Sequence, residues 1–106
     1  MKVNVLTKVI GYDKKPVKDG QADLVWKNVF FQALNNFTKD EQPSNELKIR
    51  CYQITKKIFD SNDPDLAVDE RALVMERVKK MFAPLICGEV EKFLEEPKKE
   101  LKEEKQ

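Results

Sequence analysis

Over residues 3–10 apolar and polar positions roughly alternate. Val3, Val5, Val9 and Ile10 are interleaved with Asn4, Thr7 and Lys8, and β-branched types are frequent. This pattern predicts a strand. Two turn signals follow, Asp13-Lys14-Lys15-Pro16 and Asp19-Gly20, and Ala22, Leu24 and Val25 can form the return strand. The result is an N-terminal β-hairpin with a basic tip. Two strands alone are marginal in water, so the hairpin must pack on something helical.

The period then changes. Trp26, Val29, Phe30, Ala33, Leu34 and Phe37 fall at helical spacing and predict an amphipathic helix starting near Leu24 or Val25, with Asp23 as its cap. Phe31 lies outside that stripe. A second helix starts after Ser44, an N-cap residue, with Glu46 in its first turn. Its inner face is Leu47, Cys51, Ile54 and Ile58, broadened by Tyr52 and Phe59. Asp60-Ser61-Asn62-Asp63-Pro64 ends it. A third helix is expected with Asp69 as cap and Val68 stapled onto Leu73. It continues through Val74, Arg77, Val78, Met81 and Phe82, until Pro84 interrupts. A fourth spans about Leu85 to Glu95, with Leu85, Ile86, Val90, Phe93 and Leu94 inward. Gly88 costs it about 1 kcal/mol unless another helix backbone approaches there. The fold expected is α+β and mostly helical, an N-terminal β-hairpin packed on a bundle of three to four helices. Residues 1–95 form one globular domain, and 96–106 a charged flexible C-terminal tail too polar to offset its ordering entropy.

Composition narrows the functions. The chain has 106 residues, enough for one domain. Its 20 Lys+Arg against 19 Asp+Glu give a net charge of +1, which supplies no bulk attraction to nucleic acid or anionic lipid. There is no histidine, so a His-based triad, a Cys-His pair and a Cys/His zinc site are excluded. The cysteines, Cys51 and Cys87, read as small core residues. No apolar run approaches the roughly 20 residues that span a bilayer, and the N-terminus lacks a signal-peptide core, so a cytoplasmic location is expected. Three scattered glycines form no phosphate loop. The acidic stretch 60–65 lacks the central glycine and terminal glutamate of a calcium loop and reads as a polar turn. No metal, cofactor or catalytic residue is expected, and the chain is read as non-enzymatic.

Two groups remain as candidates. Phe31 is an aromatic off the core stripe; it either packs under the hairpin or meets a protein partner. Tyr12 is a second aromatic, on the hairpin turn. Lys8, Lys14, Lys15 and Lys18 on the hairpin, with Lys48, Arg50, Lys56 and Lys57 on the second helix, are the alternative, as nucleic-acid contacts. Lysines also serve simply to keep an edge or a helix face solvated.

The order of segments carries a resemblance. It lies in Gly11-Tyr12-Asp13-Lys14-Lys15-Pro16-Val17-Lys18-Asp19-Gly20, the run from Leu24 to Leu34, Leu47 to Tyr52, Lys57-Ile58-Phe59, Asp65 to Glu70, and Ala83-Pro84-Leu85-Ile86-Cys87-Gly88. Over about residues 3–95 the chain resembles small proteins of unassigned function from tailed bacteriophages and prophages. The resemblance implies a viral origin and action in the cytoplasm of an infected bacterium. It brings no catalytic or binding motif. The function expected is a protein–protein interaction role, as an accessory to virion assembly or a modulator of a host protein. The alternatives are a nucleic-acid-binding accessory using the basic hairpin and a homodimeric structural protein.

Overall fold

In the computed structural model, which describes the backbone of residues 1–104 and the side chains of residues 1–94, four helices follow a short antiparallel hairpin. The strands are β1 (Lys18–Asp19) and β2 (Ala22–Asp23); the helices are α1 (Trp26–Asn35), α2 (Asn45–Asp60), α3 (Val68–Met81) and α4 (Pro84–Glu104). The α+β, mostly helical architecture expected from the sequence is the one observed. Helix α1 packs against α2 and α3, and α3 against α4. Helix α4 runs on past the end expected near Glu95 to Glu104; the side chains of the tail expected over 96–106 fall outside the described residues.

The N-terminal region differs in detail. Residues 3–10 do not form a continuous strand. Lys8 and Ile10 make isolated bridges, to Val25 and Pro16, and Lys2 just before the segment bridges to Asp65. The regular hairpin is the tighter one, with Lys18 opposite Asp23, Asp19 opposite Ala22, and Gly20 turning at φ 69°. Only glycine adopts that φ without cost. A second turn precedes it. The Lys14 N–H donates to the Gly11 carbonyl at 3.0 Å and the Gly11 N–H to the Lys15 carbonyl at 2.9 Å. Lys14 itself sits at φ 64°. This is a three-residue hairpin loop in which a lysine holds the left-handed position usually given to glycine. The burial pattern of a strand survives without the ladder: Val3, Val5 and Val9 are buried while Asn4, Leu6 and Lys8 are exposed.

The missing ladder has gone to the helices. The N–H groups of Trp26 and Lys27, unsatisfied within α1, donate to the carbonyls of Thr7 (3.1 Å) and Val5 (2.7 Å). The N–H groups of Val3 and Val5 donate to Pro64 and Asn62 in the α2–α3 loop, at 3.0 and 2.9 Å. The segment therefore caps α1 with its carbonyls and holds the acidic turn with its amides. Asp23 is not the cap of α1: Val25 is, with no side-chain bond, and Asp23 pairs with Lys18 and Lys8 instead.

The other boundaries follow local chemistry more closely. Ser44 caps α2, its Oγ accepting from the Leu47 N–H at 3.1 Å. For α3 the expected cap, Asp69, lies inside the first turn and pairs with Arg50. Ala67 is the cap, and its N–H donates to Glu70 at 2.9 Å. Val68 is exposed and staples nothing. Pro84 opens α4, where its missing N–H costs no bond. Gly88 faces open space, with nothing within 4 Å of an added Cβ, so no helix approaches it.

The core joins Val3, Val5 and Val9 to Trp26, Val29, Phe30, Ala33, Leu34, Cys51, Ile54, Ile58, Leu66, Val74, Val78, Val90 and Leu94. Trp26 stacks on Phe93 of α4 at 5.1 Å and leans on Phe30 at 5.6 Å, which ties the two ends of the domain together. Leu47, Leu85, Phe82, Phe93 and Cys87 are only half-buried, because they line the edges where helices part. Tyr52 and Phe59, expected on the inner face of α2, are exposed at 60% and 52%.

Candidate functional site

Among the described residues the one buried charge is Arg77, 2% exposed on α3. Its position at helical spacing put it in an apolar stripe; its guanidinium explains why it can stay there. Nε donates to the Ala33 carbonyl (3.1 Å), Nη2 to the Asn36 carbonyl (2.6 Å), and Nη1 and Nη2 to the two oxygens of Glu41 (2.6 and 3.2 Å). The Phe37 ring lies 4.3 Å from its centre. Helix α1 has no basic residue in its last turn, so α3 supplies the cation that its carbonyl end favours. The hydrogen bond from Arg77 holds the Glu41 carboxyl below its ordinary value. Each guanidinium nitrogen has a partner, so the cluster is a strap binding the α1–α2 connection to α3 rather than a poised acid or base.

Other carboxylates are lowered by partners of their own. Lys18, then Lys8, lowers the pKa of Asp23. Burial pushes Glu70 up, but hydrogen bonds from Lys57 and the Ala67 amide outweigh it and leave it lowered. Burial raises the Cys51 thiol, which disfavours the reactive thiolate. In the acidic turn, Ser61 Oγ donates to Asp63 and accepts from its N–H, while the carbonyls of Asn62 and Pro64 hold the N-terminal segment. Among the described residues no group of three or more Cys, Asp or Glu side chains could hold a metal ion. No described helix is long and apolar enough to cross a membrane.

The basic candidates divide in two. Lys8 and Lys18 both reach Asp23, at 2.9 and 2.6 Å; Arg50 reaches Asp69 at 3.1 Å and Lys57 reaches Glu70 at 2.8 Å. Lys14, Lys15, Lys48 and Lys56 have no carboxylate partner among the described residues. The hairpin tip thus keeps two unpaired lysines beside Tyr12, which is 81% exposed.

Phe31 does not pack under the hairpin. It is 43% exposed, and its ring meets Phe59 of α2 edge-on at 5.5 Å, with the Lys27 ammonium 4.5 Å from the Phe59 ring. One helical turn along, the Asn35 side chain donates to Thr55 Oγ1 at 3.1 Å. The pairs 31–59 and 35–55 run in opposite directions, so α1 and α2 meet here as an antiparallel seam. Tyr52 and Ile49, the latter 55% exposed, continue the apolar surface along α2. No ring contact joins Tyr12 to this group among the described residues. No family model, curated protein or solved structure matches the chain.

Sequence reasoning selected Phe31 but missed Ile49, Tyr52 and Phe59 as surface residues. The signal was present. Leu47, Cys51, Ile54 and Ile58 already fill a helical face, and Ile49, Tyr52 and Phe59 form a second stripe roughly 130° away at 100° per residue. A helix with two apolar stripes has one for the core and one for something else.

Proposed function

We propose that this chain is a small non-enzymatic protein-interaction module, of the kind that serves phage assembly or modulates a host protein, and that it docks its partner on the α1–α2 seam. The observation that carries this is the exposure of three rings, Phe31, Tyr52 and Phe59, on one face, with Ile49 beside them. The three rings together leave about 300 Å² uncovered, which lies within the range of largest patches on monomers and matches the aromatic composition of interface centres. The absence of histidine and the downward shifts of the perturbed carboxylates support the non-enzymatic part. The test compares wild-type protein with Tyr52→Ser/Phe59→Ser as bait in infected bacterial lysate, with and without nuclease. A partner retained by wild type after nuclease and lost by the variant is expected. A partner set identical for both baits refutes the reading.

A second reading, nucleic-acid contact, is favoured by Tyr12 standing exposed beside the unpaired Lys14 and Lys15. It requires binding that weakens steeply with salt and is lost in Lys14→Ala/Lys15→Ala.

A further inference from the structure

The charges around the seam say what sort of partner it fits. Lys48 and Lys56 stand one helical turn on either side of Tyr52, and Lys27 of α1 lies over Phe59. None of the three has a carboxylate partner among the described residues. Helix α1 has no acidic residue, and α2 has them only near its two ends, Glu46 and Asp60. Exposed Ile49, Tyr52 and Phe59, spread over about 15 Å of α2 and interrupted by Thr55, thus stand among three cations with no carboxylate opposite them. Elsewhere among the described residues most lysines and arginines have a carboxylate partner, so this concentration is local.

We infer that the seam binds an acidic amphipathic helix, whose apolar residues at i, i+3 or i+4 and i+7 lie against Phe31, Tyr52 and Phe59 and whose Asp or Glu residues meet Lys27, Lys48 and Lys56. This rests on the interaction reading above and adds the chemistry of the partner. A helix suits the site because two antiparallel helices present a surface along which a third helix can pack. Charge complementarity selects an acidic one. A second copy of this chain fits less well. A twofold contact through the seam brings Lys27, Lys48 and Lys56 of both copies into one interface with no carboxylate between them.

The test is selection of a random 16-residue peptide library displayed on phage, with the immobilised full-length chain as target. Synthetic versions of the enriched peptides are then titrated against wild type, Tyr52→Ser/Phe59→Ser and Lys48→Glu/Lys56→Glu. All four replaced side chains are exposed, and thermal melts confirm that the variants stay folded. Expected are net-acidic peptides with helical apolar spacing, at least ten-fold weaker on both variants and weaker at high salt. Peptides that need Tyr52 and Phe59 but carry no acidic excess, or bind the Lys48→Glu/Lys56→Glu variant equally well, overturn this inference and leave the interaction reading standing. Peptides indifferent to Tyr52 and Phe59, or no enrichment, overturn both. A wild-type dimer in sedimentation that Tyr52→Ser/Phe59→Ser dissolves also overturns the inference, by making the occupant a second copy.

Discussion

Replacing Arg77 with alanine removes the strap between α3 and the end of α1. The structure gives the magnitude. Two backbone carbonyls, Ala33 and Asn36, lose their guanidinium donors, and the Glu41 carboxylate loses a two-pronged partner. A buried acceptor left unpaired costs about 1–3 kcal/mol, and breaking a buried ion pair from one side about 3–5 kcal/mol. A depression of about 320 Å³ beside Phe37, Glu41 and Pro43 lets water reach part of the site, which favours the lower end. We therefore expect a loss of about 3 kcal/mol, a large part of the roughly 5–15 kcal/mol of a domain this size. At roughly 0.2 kcal/mol per degree of unfolding entropy, Tm falls by about 15 °C. Arg77→Lys keeps the charge but not the fork that spans three acceptors, and loses about 2 kcal/mol. Urea unfolding for the free energy and thermal melts for Tm, each followed by circular dichroism and by the single tryptophan, Trp26, measure both. A fall of less than about 5 °C for Arg77→Ala, or wild-type behaviour of Arg77→Lys, refutes the reasoning.

Acid adds a second check on the same strap. The folded pKa of Glu41 lies below its ordinary 4.5, chiefly through the Arg77 hydrogen bond, so its contribution is fully present above that value and is lost as pH falls through the depressed one. The Tm gap between wild type and Arg77→Ala should be constant from about pH 7 to 5 and shrink toward pH 3; a gap that widens in acid contradicts the assignment. Gly88→Ala, with open space around the new methyl group, should stabilise by about 1 kcal/mol and raise Tm by about 4–5 °C. A lower Tm there means the position is crowded. Lys14→Gly relieves the left-handed lysine at a smaller cost in unfolded-chain entropy, for a net gain of about 0.5 kcal/mol in thermal melts; destabilisation shows the turn to be held by something other than its backbone.

The helices and the inner faces of most of them were legible in the chain. Ser44 starts α2, Pro84 starts α4, and Trp26, Val29, Phe30, Ala33 and Leu34 turn inward because a 3.6-residue period admits one buried stripe. The inward Val3, Val5 and Val9 were legible too, since alternation survives even where no ladder forms. Tertiary structure decided what those residues pair with. The amides and carbonyls of 3–9 were free to build a hairpin or to serve helix ends, and only the packed fold puts α1 and the α2–α3 loop within their reach. Asp23 and Asp69 could cap helices or pair with lysine and arginine, and the arrival of Lys8, Lys18 and Arg50 from elsewhere in the chain settled it. The same holds for the candidate site. Periodicity gives Tyr52 and Phe59 an angle around α2, but which angles point to solvent depends on where α1 and α3 dock. Arg77 among apolar residues gave no hint of its partners, because the acceptors that make its burial tolerable lie 36 to 44 residues away in sequence.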